Sequence, residues 1–379
     1  MGFFDPILTA DYISRPNRFT VTCRLNGLRV NAYLPNPGRL WELFFPGARL
    51  YLEKADSGRK LPYTVVAVER EDRPVMLHTH KTNIIARHLI EGGRVPGLVG
   101  AEIVKSEVTI GRSRFDFQLK QEEIDIYLEV KSCTLFGGGV AMFPDAVTAR
   151  GKRHVEELAR LAEAGAKCVV LFIVGSLEPD YFMPEYHTDL AFSQALLAAK
   201  SQVNVIALGV GWNPDLTLKE EVKTLKIPWD VVEHEARDRG SYLLILRLTD
   251  AKSVEVGSLG VLEFRPGYYI YVGSAMKNLA KRIERHKRLR KKMHWHIDYL
   301  RRVCDFHAAL PIRSSERIEC LLAEAVKEVS EFEITDFGSS DCACRSHLFY
   351  MPQDPLNSRL FHRMLQSFRM QKPIPCVIG

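Results

Sequence analysis

The stretch Arg114–Lys131 reads RFDFQLKQEEIDIYLEVK, and the architecture of the first half of the chain turns on it. Arg114–Lys120 and Ile124–Ser132 are two amphipathic strand candidates, with the segment between them read as a hairpin. Upstream, Val104–Ile110 and the break Gly111-Arg112-Ser113 add a second hairpin. Downstream, Lys167–Val174 (KCVVLFIV) is apolar almost throughout, as a strand covered on both faces should be. Between them the spacing predicts a helix from an Asp145 N-cap to about Ala164, with Val155 and Leu158 on its inner face and Gly165 ending it. A helix near Leu190–Lys200 and a strand Val203–Val210 complete a β–α–β–α–β order, hence an α/β domain. A shorter helix, Asn83–Glu91, precedes it. Asn213 to about Arg239, with the charge-dense stretch Lys219–Lys226, reads as a finishing segment and linker.

The same stretch carries chemistry. Residues i and i+2 of a strand face one side, so Glu129 and Lys131 project together while Val130 points away. A hairpin partner brings Asp116 alongside. Two carboxylates and an ammonium around a gap suit Mg²⁺ or Mn²⁺, which would acidify a water and stabilise charge on a phosphate. This is the D…(D/E)-x-K arrangement of restriction-endonuclease-like nucleases. The triplet alone also describes a solvated, salt-bridged strand edge; the α–β–α–β order that follows it favours the nuclease.

Longer strings carry a closer resemblance. GRSRFDF (Gly111–Phe117), LEVKSCTL (Leu128–Leu135), FPDAVTARGKRH (Phe143–His154) and LPNPGRL (Leu34–Leu40) resemble the sugar fermentation stimulation protein A family over about residues 1–230. The resemblance implies an N-terminal OB-fold (1–82), a PD-(D/E)xK-like domain (83–230) and nucleic-acid binding. It carries the metal and catalytic positions onto Asp116, Glu129 and Lys131, with either Glu107 or Glu102 as the first acidic ligand. Arg150 and His154, four apart on the next helix, either clamp a phosphate or form an ordinary exposed face.

Residues 1 to about 80 read as β-rich, with strands at Arg18–Cys23, Leu28–Leu34, Ala48–Lys54 and Tyr63–Glu69 and turns at Asn26-Gly27, Pro35–Gly38 and Asp56–Gly58. An OB barrel stacks bases on aromatics and tracks phosphates with cations. Arg18 and Arg39 are the candidate cations; Phe19 and Trp41 are expected mainly in the core. His78 and His80 lack the neighbours a metal site needs.

From Gly240 onward a second pattern begins. Gly240-Ser241-Tyr242 and Tyr271-Val272-Gly273 are strand tyrosines, Arg282 lies on a helix and Glu319 on a later one. A tyrosine can serve as base beside a metal held by Glu319, with Arg282 on the phosphate. GYYIYVGSA (Gly267–Ala275), RIERH (Arg282–His286), HWHIDYL (His294–Leu300), ECLLAEA (Glu319–Ala325) and FGSSDCACRSHLF (Phe337–Phe349) resemble the GIY-YIG nuclease superfamily over residues 240–379, although the triplets here are GSY and YVG. A helix over Asn278–Lys292 presents Lys281, Arg285, Lys287, Arg288 and Lys291 as nucleic-acid contacts. His294, His296 and Asp298 are either acid–base helpers or bystanders. Cys342 and Cys344 with His347, completed by Cys304 or His307, match no common zinc class, and a loop of buried thiols is expected instead.

The chain has 379 residues, 46% of them hydrophobic and 26% charged, which excludes disorder as the dominant state and suits two or three domains. No apolar run approaches a membrane span, and Asp5, Asp11, Arg15 and Arg18 exclude a signal-peptide core. Eight scattered cysteines suggest reduced thiols and a cytoplasmic address. The net charge is +6, yet residues 240–379 hold 22 Lys+Arg against 15 Asp+Glu, so the excess lies wholly in the last third. A polyanionic partner follows, DNA first and RNA second. The expected function is a divalent-metal-dependent DNA endonuclease using water as nucleophile; the rival is a non-catalytic DNA-binding regulator or repair accessory. No phosphate loop of a sugar kinase is present, and nothing in the pattern speaks to oligomeric state.

Overall fold

A computed structural model describes residues 3, 4, 6–111 and 113–372. They form two compact units: residues up to 185 with 191–232 and 370–372, and residues 186–190 with 233–369.

The first unit begins with a barrel of β1 (Ile7–Asn17), β2 (Thr20–Leu25), β3 (Leu28–Tyr33), β4 (Arg49–Lys54) and β5 (Tyr63–Arg70), ordered β3-β2-β1-β4-β5. The parallel pairing Tyr33↔Thr64 closes it, which gives a five-stranded OB-fold. β6 (Arg73–Met76) extends β5 by a hairpin. Asn26 and Gly27, at φ 48° and 82°, make the two-residue turn between Leu25 and Leu28 that the right-handed strand twist demands. Sequence reading missed β1. Ser14, Arg15 and Pro16 break its apolar alternation, and the strand absorbs them at irregularities between Tyr12 and Asn17.

After α1 (Thr82–Glu91) come β7 (Glu102–Ile110), β8 (Ser113–Gln121), β9 (Ile124–Cys133), the short β10 (Leu135–Gly137) and β11 (Val140–Phe143), then α2 (Ala149–Glu163), β12 (Lys167–Val174), β13 (Tyr181–Pro184), α3 (Leu190–Ala199), β14 (Val203–Trp212) and β15 (Leu218–Thr224). The main sheet runs β15-β14-β12-β9-β8-β7, with β12 parallel to both β14 and β9 and the remaining pairs antiparallel. A small sheet, β10-β11-β13, lies beside it.

Both faces of β12 are buried. Val170, Phe172 and Val174 join a core continuous with barrel residues Val21, Leu50 and Val68, whereas Val169, Leu171 and Ile173 meet Ile85 and Leu89 of α1. The shared core makes barrel and sheet one body. Within the stretch read as a finishing segment and linker, Leu218–Thr224 forms β15, an edge strand whose Lys and Glu side chains suit a solvent-facing edge. One expectation fails here. Helix α2 is capped by the Thr148 hydroxyl, which accepts from Gly151 N at 3.0 Å, and not by Asp145. Asp145 instead accepts Leu40 N at 3.1 Å across the barrel boundary.

The second unit follows α4 (Trp229–Glu235). It contains β16 (Gly240–Leu248), the hairpin β17 (Lys252–Glu255) and β18 (Val261–Phe264), β19 (Gly267–Ala275), α5 (Leu279–Lys287), α6 (His296–Arg301), β20 (Asp305–Arg313), α7 (Glu319–Glu328), β21 (Phe332–Glu333), β22 (Leu348–Met351) and α8 (Arg359–Arg369). Its sheet is β20-β16-β19-β22-β21, antiparallel throughout. The basic helix expected to reach Lys292 stops at Lys287, and Arg288 is extended. The buried Asp298 carboxylate accepts His294 N at 3.0 Å and Trp295 N at 3.2 Å, which caps the start of α6.

Candidate functional sites

Asp116 on β8 and Glu129 and Lys131 on β9 converge at the floor of a groove of about 730 Å³, which Arg18, Glu107 and Arg150 also line. Their placement follows from strand alternation: Phe115, Phe117, Leu128 and Val130 fill the two cores while the polar residues between them share one site. Asp116 Oδ1 accepts from Asn83 Nδ2 at 2.8 Å and Oδ2 from Val130 N at 2.7 Å. Glu129 Oε1 is contacted by the Lys131 ammonium and by His154 Nδ1 at 2.6 Å. Arg150 Nε donates to His154 Nε2 at 3.4 Å, which leaves the proton on Nδ1, facing Glu129. Glu129 is 4% exposed, and its Oε2 has no hydrogen-bond partner among the described residues.

Environment splits the two carboxyls. Burial, with the Glu129 charge close by, raises Asp116 above the ordinary aspartate value. Burial also acts to raise Glu129, but the His154 hydrogen bond and Lys131 outweigh it and hold Glu129 below its ordinary value.

The other sequence candidates fall in several environments. Glu107, at φ 57°, lies on the groove 3.6 Å from Arg114, whereas Glu102 is exposed and pairs in register with Lys120 away from it. His154 is 2% exposed, so it orients Glu129 and is not an exposed phosphate clamp; Arg150 is exposed. Phe19, expected in the core, is 46% exposed beside Arg18. Arg39 is half-buried, 4.8 Å over the Trp41 ring, and its carbonyl accepts from Arg15 at 2.6 Å. Gly38 permits the Asp145 contact, because a Cβ there would lie 2.4 Å from Asp145 Oδ2. Asn83, which holds Asp116 from the first turn of α1, escaped sequence reading; nothing in its neighbours marks it.

In the second unit Tyr242 lies near the start of β16, Tyr271 midway along β19, Arg282 on α5 and Glu319 at the start of α7. Tyr242 is 1% exposed, and its hydroxyl pairs with His286 Nε2 at 2.8 Å. Gly273 makes room for it: a Cβ would lie 2.5 Å from that hydroxyl. Tyr271 stands 6.5 Å from the Tyr242 ring. Burial raises both phenols well above their ordinary value, so neither is a ready base. The Arg282 guanidinium lies 4.4 Å over the Trp295 ring. Glu319 receives the Ser274 hydroxyl on Oε2 and has His347 Nδ1 3.3 Å from Oε1. Burial acts to raise Glu319, and His347 and Ser274 hold it below its ordinary value instead.

The predicted cationic contacts divide. Lys281 and Arg288 are exposed, and Lys287 pairs with Glu284. Lys291 is not available to a phosphate, because its ammonium is buried 2.7 Å from Asp298 Oδ1. Arg285 is held by the same carboxylate at 3.0–3.1 Å. Asp298, fully buried, sits well below the usual carboxylate range because His286, Arg285 and Lys291 outweigh burial. His296 accepts Gly338 N at 3.1 Å, and His294 is exposed.

The neighbours of this chain agree with its two-part build. The model described as the sugar fermentation stimulation protein RE domain matches residues 80–215, and the SfsA N-terminal OB domain matches residues 13–77. Residues 241–370 match a domain of unknown function, DUF123, of the GIY-YIG-like kind. A sugar fermentation stimulation protein homolog of Methanothermobacter thermautotrophicus is 44% identical over 201 residues, 52% of this chain and 84% of that protein. A homolog from Clostridium kluyveri is 35% identical over 228 residues, 59% of this chain and 99% of that one. The solved structure of Pyrococcus furiosus SfsA in complex with Ca²⁺ aligns with a TM-score of 0.55 at 28% identity, covering 59% of this chain and 96% of that one. With the barrel, the sheet and the long shared stretch all in agreement, the chain belongs to the sugar fermentation stimulation protein family and carries a DUF123 domain behind it.

Proposed function

We propose that the chain is a divalent-metal-dependent phosphodiesterase acting on nucleic acid, DNA first, with its working centre at Asp116, Glu129 and Lys131. The observation that carries this reading is Glu129 Oε2, a buried oxygen on a carboxylate held below its ordinary pKa, with no partner among the described residues. Such an oxygen is costly to bury unless a cation meets it. Asp116 and Glu129 would hold Mg²⁺ or Mn²⁺, with Glu107 on the groove as a further carboxylate. The Pyrococcus furiosus relative, solved with Ca²⁺, took a cation of the same oxygen-preferring class. When bound, the metal supplies charge neutralisation at a phosphate and a more acidic water.

The residues of the chain do the rest. His154 and Lys131 fix the Glu129 carboxylate. Asn83 and the Val130 amide fix Asp116. Arg18 and Arg150 on the groove offer cations to a phosphate backbone, and exposed Phe19 offers a surface for a base. Among the described residues no serine or cysteine is paired with a base in the groove, and water is the nucleophile of this reading. Seven free cysteines among the described residues suit a reducing, cytoplasmic setting.

A second reading is a non-catalytic DNA-binding protein. The contact between Lys131 and Glu129 favours it, since the ammonium already has a partner within the chain. A cleavage panel of single-stranded, duplex and branched DNA and RNA with Mn²⁺ separates the two, comparing wild type with Glu129→Ala, Glu319→Ala and the double variant. The phosphodiesterase reading expects cleavage that Glu129→Ala abolishes while binding survives. Tight binding without cleavage in any metal leaves the second reading standing.

A further inference from the structure

Four metal-binding side chains meet in the second unit. Cys320 is the second residue of α7, Cys342 and Cys344 lie in the loop before β22, and His347 immediately precedes that strand. Their ligand atoms all lie within 4.8 Å of one another, and Cys342 Sγ is 3.5 Å from His347 Nε2. Tetrahedral zinc, with bonds of about 2.3 Å to sulfur and 2.0 Å to nitrogen, needs ligand separations of roughly 3.5–3.8 Å. The observed cluster is already near that size. The completing residue is Cys320. Neither candidate named from the sequence fits: Cys304 is buried at 3% exposure with its carbonyl bound to Arg301, and His307 pairs with Asp354 at 3.0 Å. The sequence hid the site because its first ligand sits on a helix far from the Cys-x-Cys pair, so no local spacing reveals it.

The imidazole connects this cluster to a carboxylate. His347 Nε2 faces the thiols, while Nδ1 lies 3.3 Å from Glu319 Oε1. Metal-bound histidines characteristically give their second nitrogen to a carboxylate, which fixes the tautomer and the ring. The backbone holds His347 firmly: its N–H donates to Phe337 O at 2.8 Å, and its carbonyl accepts Val272 N at 2.9 Å.

We propose that Cys320, Cys342, Cys344 and His347 bind a structural Zn²⁺, which pins the 337–346 loop to α7 and, through His347, orients the Glu319 carboxylate. Three thiolates and an imidazole select zinc over Mg²⁺ or Mn²⁺, and four protein ligands leave no open position for a reacting water. Glu319 takes the Ser274 hydroxyl on one oxygen and has the other 3.3 Å from His347 Nδ1, so a metal that fixes the His347 ring also sets what this second oxygen faces. The site stands apart from the Asp116–Glu129 centre and does not rest on the phosphodiesterase reading.

The test uses the full chain, purified under reducing conditions without chelator. The expected result is about one tightly held zinc per chain by elemental analysis. After zinc removal, titration with Co²⁺ should saturate at about one equivalent with a thiolate-to-cobalt charge-transfer band. Only cysteine ligation produces that band, so it is blind to metal at the carboxylate centre, and Glu129→Ala should leave it unchanged. Cys342→Ser and Cys344→Ser should each lose it, and Glu319→Gln should keep the stoichiometry while weakening affinity about 10- to 100-fold. Should the cysteine variants fail to fold, the wild-type cobalt titration decides alone. A chain with no zinc and no charge-transfer band, or with a disulfide joining two of these three cysteines, overturns the proposal.

Discussion

The two candidate centres of this chain invert what charge counting suggests. The first 239 residues are almost neutral, yet they hold an open groove with a buried carboxylate oxygen on its floor that has no partner among the described residues. The basic last third holds a centre of buried phenols. Two of the cations expected to face nucleic acid there are engaged by Asp298. Excess charge in a sequence therefore does not locate a working site. A charge acts outwardly only if the fold leaves it unpaired, and a buried carboxylate can gather several cations inward.

Substitutions can break or sharpen this contrast. The largest effect is expected at the first centre: Glu129→Ala should lower Mn²⁺-dependent cleavage by at least about 100-fold with binding retained, read in a single-turnover assay. Cleavage that persists in this variant and vanishes in Glu319→Ala would move the activity to the second unit. Next comes the ion cluster. Asp298→Ala strands Arg285 and Lys291, with Lys291 only 6% exposed, and should cost on the order of 3–5 kcal/mol in urea unfolding. A loss under about 1 kcal/mol would mean that these cations find water easily.

A smaller effect concerns pH. Asp116 has a raised folded-state pKa, so folding favours its neutral form; the cost of its charge is absent below the unfolded value and grows as pH rises through the folded one. Asp116→Asn should therefore raise the melting temperature modestly at neutral pH while removing cleavage. That advantage should disappear at pH values below the ordinary aspartate range. An unchanged melting temperature at every pH would show that the Asn83 and Val130 contacts offset burial fully. The smallest effect is on salt dependence. Lys281→Ala and Arg288→Ala, both exposed, should each reduce the slope of log affinity against log salt by about 0.9, whereas Lys291→Ala should leave the slope unchanged and lower stability. An equal slope change at Lys291 would mean that its ion pair opens on binding.

Legibility followed locality. The strands around Asp116 and Glu129, the apolar β12 and the Asn26-Gly27 turn were readable because alternation, continuous apolarity and turn chemistry are set by near neighbours. β1 was not, since bulges excuse its polar residues and Pro16. β15 was legible only as a finishing segment and linker, because the charges that mark solvent-exposed chain also suit a sheet edge. The D…E-x-K triplet was visible, but Asn83 and the inward turn of His154 were not, because both depend on elements packed from elsewhere in the chain.

By itself, then, the sequence determined the order of domains, the family and the residue types available for phosphate chemistry, because each is written in strings of adjacent residues. Tertiary structure alone decided which of those groups are partnered. It buried Asp298 against Arg285 and Lys291, left one oxygen of Glu129 without a partner among the described residues, and brought Cys320 to Cys342, Cys344 and His347. The physical reason is that burial and pairing are properties of packing between distant segments, and these, more than composition, set whether a charge or a thiolate can meet a ligand.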